Sequence, residues 1–153
     1  MFTILVFLLN IFASDLESCK VRLRQIVVDT LQYQARIQSN SGKIYDLNSQ
    51  RCNIDLHNSI KTAIENEIKK LEHEKYLVQN FTSERCIAEY GKTNHNVLVE
   101  IDTLIQTKRS RWNEHENKFN ESISIREGYE RINEALKKKI ELLNAEKMLL
   151  NHF

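Results

Sequence analysis

Proline is missing from this chain and glycine is nearly so: among 153 residues only Gly42, Gly91 and Gly128 lack a side chain. Sheets closed by tight turns draw heavily on both residue types, so their scarcity excludes a β-sandwich or an α/β fold of this length. Long helices need few turns. Charge of one sign is missing too. Lys and Arg number 22 against 21 Asp and Glu, interspersed for a net charge of +1. The basic footprint of a nucleic-acid binder is absent. The one tight cluster, Lys137, Lys138 and Lys139, reads as the solvated face of a helix. What is present is an apolar fraction of 41%, too high for a disordered chain and suited to amphipathic helices.

Only one long hydrophobic run occurs. Residues 1–12 read MFTILVFLLNIF, followed by Ala13, Ser14 and the first charge at Asp15. A run of about eleven residues falls short of the roughly 20 that a membrane-spanning helix needs. It has the length of a signal-peptide apolar region ending in small residues. We expect residues 1–13 to be a leader cleaved after Ala13, with no membrane association afterwards. Export would carry the cysteines into an oxidising compartment. There are three, Cys19, Cys52 and Cys86, which permits one internal bridge plus a free thiol, or a link to another chain. The triplets Asn80-Phe81-Thr82 and Asn120-Glu121-Ser122 make Asn80 and Asn120 candidate glycosylation acceptors.

Past the leader, apolar residues recur in steps of three and four. Leu16, Cys19, Leu23, Ile26, Thr30, Tyr33 and Ile37 form an a/d seam. Ser39-Asn40-Ser41-Gly42 then predicts a stop, which gives a first helix over 14–38. Leu47 and Ile54 keep the earlier phase. After a slip, Ile60, Ile64, Ile68, Leu71, Val78 and Phe81 carry the row forward. A slip of this kind changes the winding without requiring a break, so a second helix is expected over 44–89. A polar loop at 90–96, containing Gly91, predicts a hairpin turn. The third helix, 97–151, carries Leu98, Ile101, Ile105, Lys108, Trp112, His115 and Phe119. The same count continues through Ser122, Arg126, Tyr129, Asn133, Leu136, Ile140, Leu143, Lys147 and Leu150. The phase crosses Gly128 unbroken, but Ser124-Ile125-Arg126-Glu127 fits a capping box, so a bend or break at 120–128 stays open.

These rows predict an all-α fold of long antiparallel coiled-coil-like helices, an elongated hairpin or a three- to four-helix rod. A narrow stripe is hidden by another stripe rather than by a broad core. Leu98, Ile101, Ile105, Trp112, Phe119, Tyr129, Leu136 and Ile140 are the expected assembly seam. Trp112 and Phe119, two turns apart on one face, are either packing residues or the anchors of a contact. The polar seam positions Lys108, His115, Arg126, Asn133 and Lys147 suit the specification of register. Off the seam, Val27, Val28, Leu77, Ile87, Leu104, Ile123, Ile125 and Ile132 could form a second face. Cys52 and Cys86 within one unbroken helix would stand about 50 Å apart and could not bond. Cys19 and Cys52 lie at unmatched offsets from the Gly42 turn. That leaves Cys19–Cys86 or bonds between chains.

Catalysis requires converging groups in a pocket, and no signature of one occurs. The chain has no Gly-rich phosphate loop, no nucleophile elbow and no His-Glu-x-x-His. Its carboxylates lie beside Lys and Arg at helix-surface spacing, which ion pairing explains. No enzyme activity, cofactor site or metal site is expected from the residues. His73 lies between Glu72 and Glu74, and His115 between Glu114 and Glu116. Adjacent helical residues point to different faces, so neither triplet is a chelate. His115, on the seam, is either a pH-sensitive contact or a half-buried polar residue.

The stretch Lys108-Arg109-Ser110-Arg111-Trp112-Asn113-Glu114-His115-Glu116-Asn117-Lys118-Phe119, followed by Ile123-Ser124-Ile125 and Tyr129-Glu130-Arg131-Ile132-Asn133-Glu134-Ala135-Leu136, resembles the trichocyst matrix and granule lattice proteins of ciliates. The resemblance is closest over 108–136. It implies a helical secretory protein of the crystalline core of a dense-core granule, a trichocyst or mucocyst, released by regulated exocytosis. It also implies partnership with itself and with related helical matrix proteins, and weak calcium binding through many carboxylates. The leading expectation is therefore a structural granule-matrix protein. The alternative is a secreted helical binding module, a ligand carrier or an effector, which would need a closed bundle. A third reading is a coiled-coil scaffold whose residues 1–12 belong to the core.

Overall fold

The computed structural model describes residues 2–152. Helix takes up 92% of them and none lies in a strand. Four helices follow in order: α1 (Phe2–Ser49), α2 (Ile54–Gln79), α3 (Ser83–Tyr90) and α4 (Asn94–Leu150). Met1, the first residue of the expected leader, lies outside the described residues, and the rest of 1–13 is the start of α1. No described helix is long and apolar enough to cross a membrane. Packing divides the chain into two compact units, Met1–Asp46 with Ile125–Phe153, and Leu47–Ser124.

Short polar residues set the helix ends. The Asn53 side chain accepts from the Leu56 N–H, and Thr82 accepts from the Arg85 N–H. Each satisfies one of the orphan donors of a first turn. Asp55 and Glu84 add negative charge at those same ends, where the helix dipole favours it. Gly91 ends α3 at φ +67°, its N–H returning 2.8 Å to the Ile87 carbonyl. The absence of a Cβ makes that left-handed geometry inexpensive. Asn94 opens α4 and donates to the carbonyls of Val78 and Phe81 at 3.2 and 3.0 Å. One amide thus ties the start of α4 to the end of α2.

Two boundaries differ from expectation, and a third that stood open is decided. Helix α1 runs through Ser39–Gly42 to Ser49, because the seam continues in phase at Asn40, Ile44 and Leu47 and nothing there forces a stop. The break comes at residues 50–53, where the Cys52 N–H closes 2.7 Å onto the Leu47 carbonyl. The expected helix over 44–89 is three pieces: the end of α1, then α2, then α3. An unbroken α2 would carry its seam from Val78 onto Thr82, Arg85 and Glu89, all polar. The interruption at Asn80–Thr82 changes the phase, so that Phe81, Cys86 and Tyr90 turn inward instead. Helix α4 is continuous through Ser124 and Gly128. One glycine costs only ~1 kcal/mol in a helix, and the intact seam outweighs it.

Within Leu47–Ser124, Val78, Cys86, Val97, Ile101 and Ile105 form a buried cluster. Ile68, Leu71, Phe81, Tyr90 and Leu98 pack around it. Each buried Ile or Val contributes roughly 1.5–3 kcal/mol. Ion pairs flank α2 and α4: Lys75–Asp102, Arg109–Glu72 and Lys108–Glu67. Residue numbers on α2 fall along this series as those on α4 rise, apart from the adjacent 108 and 109.

The unit of Met1–Asp46 and Ile125–Phe153 has only α1 and α4. Its pairs run Arg22 with Glu146, Tyr33 with Lys139, Asn40 with Asn133 and Lys43 with Tyr129. Among the described residues, Ile26 and Leu136 are its buried apolar ones. One turn beyond Leu136, on the side away from Ile26, lies a buried polar layer: Asn40 Nδ2 donates 3.0 Å to Asn133 Oδ1, and Asn133 Nδ2 donates 3.4 Å to Ser41 Oγ. Thr30 Oγ1 is buried with no hydrogen-bond partner.

Candidate assembly seams

The seam residues of α4 face inward along the helix. Ile101, Ile105 and Leu136 are buried; Leu98, Trp112, Phe119, Tyr129 and Ile140 are half-buried. Of the polar seam positions, Asn133 is buried, Lys108, His115 and Arg126 are half-buried, and Lys147 is exposed. On α1 the row Cys19, Leu23, Ile26, Thr30, Tyr33 and Ile37 is likewise at least half-buried, whereas Leu16 stays exposed. The three-four spacing therefore marks surfaces that the chain covers with its own helices. The expected assembly seam is largely occupied within each unit, because two seams of equal spacing mesh with each other.

A second set of apolar residues stays in solvent. On α1, Val21 is 56% exposed, Val27 and Val28 are 45% exposed, and Leu31 is 60% exposed. On α4, Ile125, Ile132, Leu142 and Leu149 are exposed. Taking Leu23 as position a, Val27 is e, Leu31 is b, and Val21 and Val28 are f. Taking Arg126 as a, Ile125 and Ile132 are g, while Leu142 and Leu149 are c. Arg22 and Glu146 are both g, and they meet in two parallel bonds of 2.7 and 2.8 Å. The g positions thus share one flank of this helix pair. The α4 stripe lies on that flank and the α1 stripe on the other. Leu77, Ile87 and Leu104 of the other unit are exposed as well, whereas Ile123 is half-buried.

Trp112, His115 and Phe119 are brought together with a residue that the sequence reading passed over, His57 on α2. The His57 ring stacks on Phe119 at 3.8 Å between centroids and 11° between planes. It lies 5.2 Å from both Trp112 and His115. His57 Nδ1 and His115 Nε2 are 3.2 Å apart. Burial pushes the His57 imidazole below its ordinary pKa; His115 and Lys61 push the same way, and Glu116 opposes them. His57 carried a signal, since it stands one heptad before Ile64 in the row 57, 64, 71, 78. Asn40 carried one too, but its neighbours Ser39, Ser41 and Gly42 read as a stop.

All three cysteines are free thiols, Cys52 and Cys86 buried and Cys19 half-buried. Helix α2, 26 residues and roughly 39 Å long, lies between Cys52 and Cys86 in the chain. Asn80 is the C-cap of α2, exposed, its amide donating to the Tyr76 carbonyl. Asn120 is exposed within α4. Among the described residues no group of three or more His, Cys, Asp or Glu is placed to hold a metal ion.

No family model matches this chain, and neither a curated protein nor a solved structure matches it.

Proposed function

We propose that the chain is a structural, non-catalytic protein that assembles with copies of itself or with related helical chains. The helix pairs act as antiparallel coiled-coil-like bars whose inner seams hold the bar together and whose outer stripes join bar to bar. The observation that carries this reading is the pair of exposed apolar stripes on opposite flanks of the α1–α4 pair. One stripe would favour a closed dimer. Two stripes on opposite flanks favour head-to-tail contacts that need not close, the geometry of a filament or lattice. The resemblance over 108–136 and the apolar run at 1–12 extend the reading to a secretory route. The protein would be stored in the crystalline matrix of a dense-core granule, a trichocyst or mucocyst, and released by exocytosis.

Light scattering at rising concentration tests the assembly. Growth beyond a dimer supports it, and a compact monomer at high concentration favours the secreted binding module. Following the tagged chain before and after stimulated discharge tests the location: retention in the cytosol with residues 1–12 intact would defeat the granule reading.

A further inference from the structure

We infer that His57 and His115 form a proton-operated latch between α2 and α4, closed while the pair shares a hydrogen bond and opened when both rings are charged. The geometry carries this. Nitrogens 3.2 Å apart on two helices can be bonded only if one donates and the other accepts. The neutral pair satisfies that requirement, and so does the pair with one added proton. With two added protons both nitrogens are donors, and two positive rings face each other at 5.2 Å between centroids. Sliding apart is hindered, because His57 is stacked on Phe119 at 3.8 Å and lies beside Trp112.

The charged groups around the pair divide by element. On α2, Lys61 disfavours a charged His57; on α4, His115 disfavours it and Glu116 favours it. With burial, His115 and Lys61 outweigh Glu116, so the surroundings disfavour a charged His57 ring. The direction follows. The folded-state pKa of His57 lies below its ordinary value, so the unfolded chain binds more protons. Stability is then full above about pH 6.5 and falls as pH drops below it. The latch is a property of one folded chain and stands apart from assembly.

Urea unfolding of dilute full-length chain, in chelator-containing buffer, reads it out. From about pH 6.5 to pH 5 the unfolding constant should rise by up to about tenfold per pH unit, the signature of one extra proton taken up on unfolding. His57→Phe keeps a ring on Phe119 but cannot be protonated, and it should remove that pH response while leaving a folded chain at about pH 7.5. Should His57→Phe fail to fold, His115→Gln serves, since the amide can bond without titrating. Ring proton shifts in the wild-type chain should show His57 titrating below the ordinary imidazole range. Variants that keep the wild-type pH response, or a His57 ring that titrates in the ordinary range, would overturn the latch.

Discussion

The Leu47–Ser124 unit and the α1–α4 unit use the same three-four spacing, yet they bury it differently. In the first, α3 is only eight residues long, but it delivers Cys86 and Tyr90 as a third wall over the seam of α2 and α4. Val78 and Cys86 are fully buried there, and Val97, Ile101 and Ile105 nearly so. In the second, two helices meet along a line. That line holds Ile26 and Leu136, but also a buried Asn pair and an orphaned Thr30 hydroxyl. A seam without a third wall hides one stripe per helix and leaves the next stripe wet. The difference teaches where apolar surface is left uncovered: the three-walled unit approaches a core of its own, and the two-walled unit keeps its outer stripes exposed.

The contrast can be broken most forcefully at the core. Ile101→Ala should cost roughly 2–5 kcal/mol, because it removes packed methylenes and leaves a cavity, as read by urea unfolding. In the two-helix unit, Asn40→Ala should cost about 1–3 kcal/mol by stranding the Asn133 amide. Replacing both Asn40 and Asn133 by Leu should instead raise the unfolding midpoint while loosening the register that a buried Asn pair specifies. Thr30→Val should stabilise by about 1 kcal/mol, since the hydroxyl it removes has no partner. Smallest in its effect on folding, Leu142→Glu should shift stability by less than about 0.5 kcal/mol. It sharpens the comparison all the same: light scattering should show weaker association from this one change on the two-walled unit.

Much of this architecture was legible because hydrophobic spacing is a local property. The row through Leu98, Ile101 and Ile105 marks the inward face of α4, and the phase preserved across Gly128 marks its continuity. The breaks were harder to read, because they depend on what a helix would bury if it went on. Gly42 looked like a stop, but nothing at that position requires a left-handed backbone. Asn80-Phe81-Thr82 spells a glycosylation triplet, and the same residues cap two helices, Asn80 closing α2 and Thr82 opening α3. The His57–His115 meeting was out of reach, since it requires knowing that α2 and α4 pair, and with what offset. The outer stripes were half legible. Val27, Val28, Ile125 and Ile132 stood out as off-seam, but assigning them to opposite flanks needed the Arg22–Glu146 bond.

The burial of Cys86 has a further consequence. A thiol enclosed by α2, α3 and α4 reacts only when those helices part, whereas Cys19, half-buried on α1, is accessible without such an opening. The chain therefore carries a chemical record of its own breathing: the lag between alkylation at position 19 and at position 86 times how often the three-walled unit comes apart.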